Sequence, residues 1–272
     1  MYLVGQNKLQ GFLSRVTLEN CPHFIILKGP RGCGKTLFTQ LLASKLGASA
    51  IEFDHSVEGV RHIISTIYDI KEPYVYYCED LDKMHVSGKN SLLKVTEETP
   101  KNAYIVLHSK NTPLGTLSSR AQVLEFEPYT TEEYEEYCNM KGLKIPEDYD
   151  IAAKVCNSLA EFEYQITTGR YEQTIELANK VLDYIGEVSK VNAFKIVSKL
   201  ALKKDAEGLD PIFFLSCIAA LYVKRLGKVR FGDIIIRETY IALNQLRQDV
   251  LSKTLIMNKW VLDIMKGIDE RC

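Results

Sequence analysis

The sequence predicts an α/β fold with a parallel sheet, followed by an all-helical C-terminal half. Three observations carry this expectation. Short apolar runs alternate with helical patterns over the first 128 residues, a glycine-rich stretch separates the first such run from the first helix, and strand signals stop after Pro128. Strands that alternate with helices need crossover connections, which are right-handed and cover both faces of a parallel sheet.

In order, His23–Leu27 reads as a buried strand and Lys35–Leu46 as a helix closed by Gly47. Ala48–Phe53 is the second strand. Apolar residues at 57, 60, 63, 64 and 67 give Val57–Tyr68 helical spacing. Tyr74–Cys78 and Ala103–Leu107 are further strands, separated by a helix over Gly88–Glu98, and Gln122–Phe126 closes the series. Thr130 and Glu133 then stand at capping-box spacing and open a helix. Ile151–Leu159 and Tyr171–Ile185 continue in helical rhythm, with Gly186 and Ser189 as a boundary. Val191, Phe194, Val197 and Ala201 share a helix face, Asp210 and Pro211 supply an N-cap and a first-turn proline, and the last helices run from about Asp233 to Ile268.

Composition removes several classes. The chain has 272 residues, 46% hydrophobic and 25% charged, which excludes disordered and collagen-like chains. Its longest apolar candidate, Pro211–Val223, contains Ser216 and Cys217 and falls short of the ~20 residues that span a bilayer. Residues Met1 to Lys8 lack the pattern of a signal peptide, so a cytoplasmic protein without a membrane partner is expected. The seven cysteines include no Cys-x-x-Cys pair, which argues against zinc and against a redox dithiol. The five histidines lack metal-ligand spacing and read as structural. The net charge of −1 divides into +1 over residues 1–128, −8 over 129–187 and +6 over 188–272, an asymmetry that suggests three units.

Gly29-Pro30-Arg31-Gly32-Cys33-Gly34-Lys35-Thr36 matches the phosphate-binding pattern G-x-x-x-x-G-K-[ST] at every fixed position. Glycines there let backbone N–H groups turn inward around phosphate oxygens, and the following helix adds its partial positive N-terminus. Lys35 is the candidate for the outer phosphates and Thr36 for Mg²⁺, which makes ATP with Mg²⁺ the expected cofactor. Such a site also needs acids at the end of a neighbouring strand. Glu79-Asp80-Leu81-Asp82, directly after Tyr74–Cys78, supplies them.

In these residues the chain resembles AAA+ ATPases, whose Asp-Glu-x-Asp element appears here with its first two acids exchanged. The resemblance implies that Glu79 stands on the metal side and Asp80 at the catalytic position. Each carboxylate is displaced by about one methylene, and a misplacement of ~1 Å can cost ~100-fold in rate, so binding tolerates the exchange better than hydrolysis does. Further segments resemble the clamp-loader branch, in particular its delta-prime-like subunits. Val4-Gly5-Gln6 is similar to the entry motif near the adenine, and Pro22-His23-Phe24 to the approach to the glycine-rich loop. Val57-Glu58-Gly59-Val60-Arg61 is similar to the family's Ile-Arg helix, and Asn90-Ser91-Leu92-Leu93-Lys94 with Glu97-Glu98 to its Asn-x-Leu-Leu-Lys helix. Ser109 occupies the place of a polar first sensor, and Ser119-Arg120-Ala121 resembles the motif whose Arg enters a neighbouring subunit's nucleotide site.

What the resemblance implies is an AAA+ module over residues 1–128, a helical lid over 129–187 and a helical collar over 188–272. The implied role is a clamp-loader subunit that binds ATP, assembles with other loader subunits and a sliding clamp on primed DNA, and donates Arg120 to a neighbour. Arg61, Lys83 and Lys89 lie on helices that the family turns toward DNA, where contacts would be to phosphates. The family's cysteine-rich zinc insertion is missing, and no Arg occurs near Asn157–Glu161, where a second sensor is expected. Two alternatives stay open: a self-sufficient AAA+ motor of the helicase-loader or branch-migration type, and a non-hydrolysing scaffold.

Overall fold

Strand β1 (Phe24–Lys28) carries an apolar side chain for each face of the sheet. Phe24 and Ile26 join one buried cluster, while Ile25 and Leu27 join another. In β4 (Ala103–Ser109), Ile105 and Leu107 enter the first cluster and Tyr104 and Val106 the second. β3 (Tyr74–Cys78) divides the same way, with Tyr76 and Cys78 against Val75. Uninterrupted apolar runs are what a strand covered on both faces requires. The structure, a computed structural model, describes residues 3–113, 115–186, 210–225, 229, 231–248 and 251–271.

With edge strands β2 (Ser49–Glu52) and β5 (Gln122–Glu125), the sheet has the order β2-β3-β4-β1-β5, and all pairs are parallel. Helices α1 (Asn7–Arg15) and α2 (Lys35–Leu46) cover one face through Leu9, Phe38 and Leu42. Helices α3 (Val57–Thr66) and α4 (Val86–Glu97) cover the other through Val60, Ile63, Leu92 and Val95. The chain leaves β1 for the far edge and returns through β3 and β4 before β5 adds on β1's other side. The carboxyl end of β1 is therefore a switch point, where open α/β sheets bind ligands. A short helix α5 (Gly115–Ser118) precedes β5, and α6 (Thr131–Lys141) follows it. The capping box at its start forms as expected: Thr130 N donates to Glu133 Oε2 at 2.8 Å, and Glu133 N donates to Thr130 Oγ1 at 3.3 Å.

The chain divides into two units, one of residues 1–137 with 157–160, the other of 138–156 with 161–272. The second is helical among its described residues: α7 (Tyr149–Val155), the body of α8 (Leu159–Thr167), α9 (Arg170–Gly186), α10 (Pro211–Lys224), α11 (Gly232–Gln248) and α12 (Lys253–Asp269). Helix α10 packs on α7, α9 and α11, and α11 on α12. Trp260 of α12 is fully buried, meets Phe214 edge-on at 6.3 Å and donates to Thr239 Oγ1 at 3.1 Å. The Asp210 cap forms, its carboxylate accepting from Ile212 N at 3.0 Å.

Two expectations change. The helical rhythm over Ile151–Leu159 is interrupted: α7 stops at Val155, Cys156 is extended, and a new helix begins at Leu159. Helix α1 was not anticipated; it follows Gln6, which holds a left-handed conformation that a side-chain pattern does not reveal. The helix face of Val191, Phe194, Val197 and Ala201, the boundary residue Ser189, and Cys272 lie outside the described residues.

Candidate functional site

The glycine-rich loop runs from the end of β1 into α2, and its glycines are there for space and conformation. A Cβ on Gly29 would lie 2.8 Å from both Cys33 Sγ and Phe126 Cβ. Gly32 (φ +79°) and Gly34 (φ +105°) adopt backbone conformations that L side chains rarely enter. At Gly32 a Cβ would also meet Ala160 Cβ at 2.8 Å and Ser158 Oγ at 2.9 Å. The segment expected to bring a second sensor thus does lie against the loop, and it carries no Arg there.

Lys35 is buried, and its Nζ donates to Gly29 O at 2.7 Å and Pro30 O at 2.6 Å. Burial lowers its pKa, partly offset by the Cys33 sulfur 3.8 Å away. The amino group therefore sits inside the loop, held by two main-chain carbonyls with the Cys33 sulfur beside it. An ammonium so placed is electrostatically suited to an entering phosphate, whose oxygens replace weaker neutral acceptors. Pro30 and Arg31 are exposed at the loop's rim.

Thr36 and Glu79 come together, the hydroxyl donating to Glu79 Oε1 at 2.6 Å. This hydroxyl–carboxylate pair beside a glycine cradle fits a small hard cation, which takes oxygen ligands. Asp80 is turned elsewhere: Lys83 donates to it at 2.9 Å and holds its carboxyl below the usual range, with Arg31 and His55 adding positive charge. Asp82 braces the end of β4, accepting from Ser109 Oγ at 3.0 Å, Lys110 N at 2.7 Å and Asn111 Nδ2 at 3.1 Å. Burial raises the Asp82 pKa, but these donors outweigh it and the net shift is downward. Ser109 is buried beside the loop, its carbonyl accepting from Gly29 N at 3.0 Å and its hydroxyl turned to Asp82 and Asn111 O.

At the other side of the α/β unit, Arg120 follows α5. Its Nε and Nη2 donate to Glu97 Oε1 at 2.9 and 2.6 Å, and its Nη1 to Thr116 O at 2.9 Å. Arg61 is exposed on α3, Lys83 is exposed in its pair with Asp80, and Lys89 is half-buried on α4. Val4 is buried, and the neighbouring Gln6 exchanges two side-chain hydrogen bonds with the Glu127 backbone at 2.8 and 2.9 Å.

Three contributors were invisible in the sequence pattern. Tyr129 donates to Cys33 O at 2.6 Å from the segment between β5 and α6. His108 is buried beneath the loop helix, 2.9 Å from Thr39 Oγ1 and stacked on Tyr77, and burial pushes its pKa down to about 3 with the Lys35 charge adding to the effect. Glu97 was legible as part of a helix motif but not as the partner of Arg120. Each such pairing joins residues far apart in the chain, so no local spacing signals it. Among the described residues no group of three or more His, Cys, Asp or Glu gathers to hold a metal, and no helix is long and apolar enough to cross a membrane.

Comparison with known proteins fits this geometry. Residues 55–130 match the family described as DNA polymerase III, delta subunit. The fold is similar to that of a DNA polymerase III gamma subunit-related protein of Thermotoga maritima, with a TM-score of 0.59 and 13% identity, covering 96% of this chain and 99% of that one. The RuvB Holliday junction branch migration motor of Thermotoga maritima gives a TM-score of 0.47 and 20% identity over 85% of this chain and 80% of that one, a likeness too distant to argue from. No curated protein sequence matches the chain. At these identities the structural likeness speaks for the fold alone, an α/β module on a parallel sheet with helices after it. The chain thus resembles the DNA polymerase III delta subunit family in sequence across residues 55–130, and a DNA polymerase III gamma subunit-related protein in fold.

Proposed function

We propose that this chain is a delta-prime-like clamp-loader subunit that binds ATP at Gly29–Thr36 and works in a cytoplasmic assembly with other loader subunits, a sliding clamp and primed DNA. In this reading residues 1–128 bind nucleotide, 129–187 form a lid and 188–272 a collar. The observation that carries it is the buried Lys35 ammonium held by loop carbonyls beside the Thr36–Glu79 pair. Backbone N–H groups of the loop and Lys35 hold the phosphates, and Thr36 with Glu79 holds Mg²⁺. When bound, that ion offsets negative charge on the phosphates. Asp80, on release from Lys83, orients water, Ser109 keeps the β4 end in register with the loop, and Arg120 serves a nucleotide bound by the neighbouring subunit. Arg61, Lys83 and Lys89 meet DNA phosphates without sequence preference.

A second reading, ATP binding without turnover by the isolated chain, is favoured by a specific contact. Ser158 and Ala160 lie against Gly32 where an arginine would otherwise be available. Both readings are tested by one assay of ATP hydrolysis with the chain alone, with candidate loader subunits, and with clamp and primed DNA added. Turnover only in the full mixture, reduced when Arg120→Ala chain replaces wild type, supports the loader. Rapid turnover by the chain alone refutes both readings and favours the self-sufficient motor.

A further inference from the structure

We infer that Tyr129 is a positioning residue of the phosphate cradle: its hydroxyl pins the peptide joining Cys33 to Gly34 so that the Gly34 N–H faces a bound phosphate. The inference deepens the ATP reading and rests on it. Tyr129 Oη donates to Cys33 O at 2.6 Å, and the half-buried ring meets Tyr134 edge-on at 5.8 Å. A trans peptide is planar, with its C=O and N–H pointing to opposite sides. Holding the Cys33 carbonyl toward Tyr129 therefore turns the Gly34 N–H the other way, away from the wall that Leu3, Phe126 and Tyr129 form around Gly34.

This peptide needs an external hold. Gly34 sits at φ +105° and has no Cβ to resist rotation, so a flip of the peptide between Cys33 and Gly34 meets little steric opposition. The conformation that exposes the N–H is selected by what the carbonyl finds, and Tyr129 is the donor it finds. Burial and the nearby Glu133 charge push the phenol's pKa upward, so the proton stays available across working pH. Tyr129 also ties the loop to the start of α6, whose Glu133 packs beside Gly5. The loop's phosphate-facing geometry is thereby linked to the segment that leaves the sheet.

The test is Tyr129→Phe, which keeps the ring and removes only the donor. ATP affinity by calorimetry is expected to fall about 5- to 10-fold, the size of one net hydrogen bond. The discriminating signal is the amide spectrum: on adding ATP, the Gly34 N–H should shift strongly in wild type and much less in the variant, with the Thr36 N–H moving alike in both. An unchanged Gly34 response overturns the inference, whether or not the variant's melting temperature drops, because a purely structural tyrosine would alter stability alone. Absence of ATP binding by the wild-type chain would instead refute the underlying ATP reading. Should Tyr129→Phe fail to fold, a fluorotyrosine at position 129, which keeps the ring and the hydroxyl and changes only the strength of the donor, carries the comparison, and an unaltered Gly34 response there overturns the inference.

Discussion

The phosphate cradle and the Arg120 edge belong to one α/β unit, yet they are held in different ways. The cradle is enclosed: Lys35 is buried, Gly29 touches Phe126, Gly32 touches Ser158 and Ala160, and Tyr129 holds a loop carbonyl. Arg120 stands at the surface with its side chain 35% exposed, held by Glu97 and the Thr116 carbonyl. A group surrounded by its own fold has a geometry that the fold alone can guarantee. One held at the surface by an exposed carboxylate and a loop carbonyl can be given up to something that docks. On the proposed reading the chain owns its nucleotide site, whereas the use of Arg120 would depend on a neighbour.

The largest effect expected from breaking the enclosed side is at Lys35. Lys35→Ala removes the ammonium on which the phosphates would depend, and ATP affinity should fall by about 10- to 150-fold for each charged hydrogen bond lost, since these contribute roughly 1.5–3 kcal/mol each. The Gly29 and Pro30 carbonyls lose their donor but gain room for water, so the melting temperature should change little. Calorimetry with ATP and a thermal melt of the free chain check both halves. Equal ATP affinity in mutant and parent would mean that the loop is not used.

The next effect is smaller and comes from His108, under the loop helix. Its folded pKa of about 3 lies below the ordinary 6.5, so between those values the unfolded chain takes up a proton that the folded chain refuses. The stability from keeping His108 neutral is complete above pH 6.5 and is lost as pH falls toward 3, at about 1.4 kcal/mol per pH unit. Urea denaturation at pH 7.5 and pH 5 should show this loss, about 2 kcal/mol, in wild type but not in His108→Gln. A variant with the same acid sensitivity as wild type would assign it to other groups.

How much of this was readable in the chain follows from the same contrast. Strands β1, β3 and β4 and helix α2 were legible because buried strands are continuous apolar runs and a helix closed by Gly47 has a local signature; the exposed edge strands β2 and β5 were read from their place in the alternation of strands and helices. So was the glycine-rich loop, whose steric needs restrict residue type at fixed spacing. The Thr130–Glu133 box and the Asp210 cap are also local and form where expected. The turn at Cys156 was hidden because Ile151, Ala152 and Leu159 keep apolar spacing across it, and only the extended backbone at Cys156 ends the helix. Tyr129, His108 and the Glu97–Arg120 pair were hidden because each joins segments separated by 23 to 96 residues. The resemblance to clamp loaders identified Arg120, but nothing in its neighbours indicated that Glu97 holds it.

That pair supplies the smallest effect and the sharpest use of the comparison. Glu97 and Arg120 are both substantially exposed, and exposed ion pairs contribute ~0.2–1 kcal/mol because water screens them and two long side chains lose freedom. A double-mutant cycle of Arg120→Ala, Glu97→Ala and both together should therefore give a coupling no larger than this in urea denaturation. ATP affinity of the isolated chain should stay at the wild-type value in all three, since neither residue touches the glycine-rich loop. The separation appears only on assembly: Arg120→Ala should reduce hydrolysis by the complete mixture, and Glu97→Ala should reduce it less, because it removes the hold on the guanidinium and leaves the charge. An arginine acting on a transferring phosphoryl group can be worth ~10³–10⁵ in rate, far beyond what a surface pair could cost in stability. A coupling of several kcal/mol with no loss of assembled hydrolysis would invert the comparison, making Arg120 a structural clasp of α4 and leaving the cradle as the chain's one functional edge.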